Sequence, residues 1–153
     1  VSKKFDDSIA EAFLSKSHFC FETNYHTQDI LKYLDLADQH GFEKNLVFIG
    51  LKSEKLAKER VQFRVKEDIG HFVPDEEVEI RFNYGLALLD QSFTRYENLF
   101  ILESFPGFMT ENCIRIKGEK GYQIKSPSYL VHLPNLKKKI KRLDQSKSIG
   151  FNI

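Results

Sequence analysis

The chain has 153 residues, 41% hydrophobic and 29% charged, with a formal net charge of +1. That length suits one domain with a real core. The near-neutral balance points to neither nucleic acid nor a membrane surface, and no apolar run is long enough to span a bilayer.

Residues 5–16, FDDSIAEAFLSK, place Phe5, Ile9, Ala12 and Phe13 on one helical face. Phe19 to Phe21 predicts a short buried strand that ends in the polar loop Glu22-Thr23-Asn24. Cys20 lies in that apolar run and is expected as a buried core thiol. A helix over 27–40 follows, with Thr27 as its cap, Ile30, Leu31, Leu34 and Ala37 facing inward, and Gly41 ending it. The continuous run NLVFIGL, Asn45 to Leu51, reads as a strand covered on both faces. Ser53 then caps a long charged helix that breaks at Gly70-His71-Phe72-Val73-Pro74. Pro74 suits the first turn of the next helix, whose acidic opening DEEVE complements its dipole and which runs to about Tyr96. Asn98 to Glu103, NLFILE, is a further buried strand.

Alternating strands and helices predict an α/β fold, a parallel sheet with helices on both faces. After Pro106 the pattern changes. CIRIKGEKGYQIK reads as a β-hairpin turning at Gly118 to Gly121, and the basic helix LPNLKKKIKRL follows. One domain over 1–153 is expected: an α/β part over 1–105, an extension over 106–143 and a loose tail over 144–153.

Ligands of a parallel α/β sheet sit at the carboxyl ends of its strands. Three such ends are visible: Glu22-Thr23-Asn24, Gly50 to Ser53, and Glu103-Ser104. A carboxylate and a hydroxyl after a strand can hold a magnesium-bound water or a substrate hydroxyl, although Thr23 and Asn24 are also ordinary turn residues. Arg60 and Arg64, four apart, share a helical face and can clamp a polyphosphate; alternatively they bridge to Glu59, Glu67 or Asp68. Arg81 lies one helix further on. His71 could be a phosphate ligand or general acid, or a loop residue bonded to backbone. The run Lys137 to Arg142 reads as a solvated helix face, so nucleic acid is not expected as a partner. The five histidines show no metal-ligand spacing, and no structural zinc is expected. Two cysteines, too few for a disulfide framework, fit a reducing cytoplasm, and no signal peptide is expected.

Taken in order, these motifs resemble the zeta-toxin-like P-loop kinases. The residues that carry the resemblance are Phe19-Cys20-Phe21-Glu22-Thr23, Gly41-Phe42 before the apolar strand, Arg60-Val61 and Arg64-Val65, Gly70 to Pro74, and Ile80-Arg81-Phe82. The resemblance covers residues 9 to 104. It implies a P-loop-NTPase-like fold and an ATP- and Mg2+-dependent phosphotransferase acting on a small molecule, a nucleotide sugar in the toxin branch. Glu22 and Thr23 would lie near magnesium or the acceptor. Arg60, Arg64 and Arg81 would border the nucleotide phosphates, with Arg64 in a catalytic role, and His71 would belong to the segment over the nucleotide. An antitoxin, a second protein chain or a second copy is the partner it allows.

The departures are specific. Ile69 stands where the family has the first glycine of G-G-H, and Glu103-Ser104-Phe105 replaces an acidic-Asn-Ser turn. No run of the form G-x-x-x-x-G-K-[ST], whose backbone N–H groups wrap phosphates, occurs in the 153 residues. The nearest imitation, GEKGYQIKS, lies in the hairpin. The chain is therefore expected to represent the rear two-thirds of such a kinase and to be inactive alone. It would be a fragment, one half of a split protein, or a domain retained for binding. The alternative is a non-catalytic interaction or ligand-binding protein derived from that fold.

Overall fold

The computed structural model describes residues 2–105, 108–119 and 121–149. Helix α1 (Ser2–Ser15) and helix α2 (Asp29–His40) precede strand β1 (Asn45–Gly50). Helices α3 (Glu54–Lys66) and α4 (Asp75–Ser92), with a 3-10 turn at Phe93–Arg95, lead to strand β2 (Asn98–Phe105). Strands β3 (Phe108–Arg115) and β4 (Gln123–Ile124), a 3-10 turn at Ser128–His132 and helix α5 (Pro134–Ile149) complete the order.

The sheet order is β1-β2-β3-β4. β1 and β2 are parallel with Asn45 opposite Asn98 and Gly50 opposite Glu103. β2 and β3 are antiparallel, with an irregularity between Ile101 and Leu102, and β3 and β4 are antiparallel. The fold is thus α/β with a mixed sheet, and the expected all-parallel sheet holds only for its first pair. The apolar runs marked the strands, but strand direction depends on what each connection traverses. Two helices join β1 to β2, whereas β2 passes almost directly to β3, which permits only an antiparallel return.

Local chemistry explains several boundaries. Ser53 Oγ accepts from Leu56 N at 3.3 Å and caps α3 as expected. Gly41 closes α2 in the left-handed region at φ 71°. Thr27 is not the cap of α2; Gln28 occupies that place without a side-chain bond. Pro74 sits just before α4, and its fixed φ of −56° leads into an acidic first turn. α4 stops at Ser92, where the chain tightens into the 3-10 turn. Asp90 caps α5 from a distance: its carboxylate accepts from Asn135 N and Leu136 N at 3.0 Å. The helix that begins there continues to Ile149, where a loose tail from Asp144 was expected; positions 150–153 lie outside the described residues.

The core lies on one face of the sheet. Leu46 and Phe48 of β1, Leu99 and Ile101 of β2 and Cys113 of β3 pack with Ile30, Leu34, Leu89, Leu133 and Leu136 of the helices and turns. Burial pushes the Cys113 thiol up to about 12. The alternate β1 residues, Val47 and Ile49, are 58% and 56% exposed. Helices over both faces were expected there, and one face of this strand is open.

Phe19 to Phe21 depart from the expected buried strand. These residues form no strand. Phe13 makes edge-to-face contacts with Phe19 at 5.2 Å and with Phe42 at 5.1 Å, tying the segment to α1 through its rings. Cys20 is exposed rather than buried, because no neighbouring strand covers the segment.

Candidate functional site

A cleft of about 480 Å³ opens at the carboxyl ends of β1 and β2. That volume lies within the usual range for small-molecule sites, about 300–1,000 Å³. Gly50 and Leu51 from the end of β1 and Ser104 from the end of β2 form its base. Arg60 and Arg64 of α3 and Arg81 of α4 line its wall, and Glu22 and Asn24 border it from the loop before α2. All three expected strand-end segments therefore contribute to one place, although the first of them follows an extended segment and not a strand.

Each side chain is positioned by its element. Arg60 and Arg64 stand one turn apart on α3, and Ala57 a turn earlier is buried beneath them. Arg60 Nη1 donates to Ser104 Oγ at 2.9 Å. Gly70 packs against Arg64: a Cβ there would approach the Arg64 Cβ to 3.0 Å. Arg81 is paired with Glu77 one turn back, and its Nε is buried without a partner. Beside it, His26 is held below its ordinary value, first by burial and then by the Arg81 guanidinium, with Glu77 opposing. His26 Nδ1 is likewise buried without a partner.

Not every expected site residue reaches the cleft. Thr23 does not line it; its Oγ1 accepts from Tyr25 N at 3.3 Å, the turn role that was the simpler alternative. His71 is exposed on the loop between α3 and α4 and does not line the cleft either. The basic run on α5 keeps Lys137, Lys138, Lys139, Lys141 and Arg142 exposed around buried Leu136, the solvated face expected of it.

Sequence reading missed Tyr129, from the 3-10 turn before α5, which lines the cleft beside Gly50. Its segment, SPSYLVH, has neither helical nor strand periodicity, so nothing local marked it. Sequence reading also missed His26, which does not line the cleft but feels the Arg81 guanidinium that does. A larger depression of about 780 Å³ lies between α1 and α2. Lys32 is its one basic residue, and Asp29 engages that lysine at 2.9 Å, so it offers anions little.

The donors fit some implied groups better than others. Three guanidinium groups on one wall suit a polyphosphate. Among the described residues no group of three or more His, Cys, Asp or Glu could hold a metal ion, so these side chains do not form a magnesium site by themselves. No helix among the described residues is long and apolar enough to cross a membrane.

Comparison with family models, with curated proteins and with solved structures found no match to this chain.

Proposed function

We propose that this chain carries the phosphate-facing and acceptor-facing part of a zeta-toxin-like, ATP-dependent small-molecule kinase. One observation carries the reading: Arg60, Arg64 and Arg81, from two helices, share a single cleft with Glu22 at the carboxyl ends of parallel strands. Guanidinium groups in that place bind and neutralise a polyphosphate, and they favour it most where charge spreads during phosphoryl movement. Glu22, across the cleft, is the carboxylate available to an acceptor hydroxyl. A nucleotide sugar is an acceptor of suitable chemistry, since it brings both hydroxyls and a diphosphate.

The phosphate-wrapping glycine loop is not in these 153 residues. Binding without turnover is therefore the behaviour proposed for this chain alone. The test is a pair of measurements on the purified chain: ATP binding by calorimetry and ADP release with Mg2+. Binding lost in Arg64→Ala, with no ADP release above background, supports the reading. Turnover that depends on Arg64 would contradict the proposed inactivity, and absence of any nucleotide binding would contradict the phosphate site.

A second reading, a non-catalytic interaction protein, draws on strand β1. It lies at the edge of the sheet and exposes Val47 and Ile49. A tight, monodisperse dimer that binds no nucleotide would favour this reading over the first.

A further inference from the structure

Tyr129 is 2% exposed, yet it reaches the cleft. Its hydroxyl sits where a side chain at position 50 would begin: a Cβ on Gly50 would lie 1.8 Å from the Tyr129 oxygen. Only glycine leaves that space. The turn that carries Tyr129 is fixed from two sides. His132 Nε2 donates to the Lys52 carbonyl at 3.1 Å, and the His132 ring meets Phe82 edge-on at 6.0 Å.

We infer that Tyr129 is a ligand-contacting residue of this cleft, whose hydroxyl donates to the anion that Arg60 and Arg64 hold. The inference rests on the phosphate reading above and adds to it: the part of the chain after β4 completes the site. The chemistry is consistent with a donor. Burial, and then the nearby Glu103 carboxylate, raise the phenol above its ordinary value, so it stays protonated at neutral pH. A neutral O–H can approach a phosphate oxygen, whereas a phenolate would repel it. Glu103 is itself 3% exposed, and Asn112 Nδ2 donates to its carboxylate at 3.4 Å.

The experiment titrates inorganic tripolyphosphate into the wild-type chain, Tyr129→Phe and Arg64→Ala, and records the tyrosine ultraviolet difference spectrum of each. The expected result is binding about 3- to 10-fold weaker in Tyr129→Phe at an unchanged melting temperature, the loss typical of one hydrogen bond. The tyrosine difference band produced by binding in the wild type should also disappear. Equal affinity and an equal band in Tyr129→Phe, with binding weakened in Arg64→Ala, would overturn the role of Tyr129 and leave the arginine site standing. A wild-type chain that binds no tripolyphosphate would overturn both. Should Tyr129→Phe fail to fold, the wild-type spectrum decides: binding without any tyrosine perturbation overturns the inference.

Discussion

Arg60 Nη1 and Ser104 Oγ, 44 positions apart in sequence, meet at 2.9 Å and tie α3 to the carboxyl end of β2. The bond fixes one guanidinium of the cleft at the base of the sheet. It also leaves Arg60's remaining donors available, since one guanidinium offers five.

Removing the tether while keeping the charge should separate positioning from binding. Ser104→Ala is expected to cost about 1 kcal/mol of stability, as for a typical hydrogen bond. It should weaken tripolyphosphate binding less than Arg60→Ala does. Urea unfolding and calorimetry on the two variants check both halves. Equal losses of binding would show that Arg60 acts only through its contact with Ser104.

Gly50→Ala should destabilise the fold by about 1–3 kcal/mol, because the new methyl group overlaps the Tyr129 hydroxyl and ring. The effect should shrink when Tyr129 is already Ala, since nothing then occupies the space. A double-mutant cycle by urea unfolding measures this; simple additivity would mean that the two positions do not touch.

The two faces of the sheet should respond very differently to substitution. Ile101 is 0% exposed, and Ile101→Ala is expected to cost about 2–5 kcal/mol. Val47→Thr, on the open face of β1, should stay within about 0.5 kcal/mol of the wild type. Thermal or urea unfolding of both variants tests the one-sided packing of β1. A large loss at Val47 would mean that this face is covered in solution.

That contrast also shows where sequence reading stopped. Gly41 and Ser53 were legible because a left-handed helix end and an N-terminal cap are local demands met by particular residues. The burial of Ile9 and Phe13 followed from helical spacing, again a local signal. The run NLVFIGL announced a strand but not which of its faces would find a partner, because Val and Ile suit both. Phe19-Cys20-Phe21 announced burial but not pairing: a strand needs a neighbouring backbone, and its rings found Phe13 and Phe42 instead. In the site, Arg60 and Arg64 were legible from their spacing. Tyr129, which lines the cleft, and His26, which feels Arg81, were not, because only tertiary packing brings them there.

His26 supplies a pH-dependent signature. Its folded pKa lies below the ordinary 6.5, so between the two values the unfolded chain binds the proton more readily. The associated stability is complete above about pH 6.5 and falls as pH drops through the folded value. An anion on Arg81 would offset part of the repulsion and raise the His26 pKa, while burial, the larger cause, remains. Proton NMR titration of the imidazole with and without tripolyphosphate should show an upward shift. An unmoved His26 would place the anion away from Arg81.

The central claim is that Arg60, Arg64 and Arg81 form one anion site. Calorimetric titration of the purified chain with tripolyphosphate, compared with the three single alanine variants at low and moderate salt, tests it most directly. The account predicts one site per chain, affinity reduced about tenfold or more by each substitution, and weaker binding as salt rises. Wild-type binding that none of the three substitutions alters, or no binding at all, would contradict it.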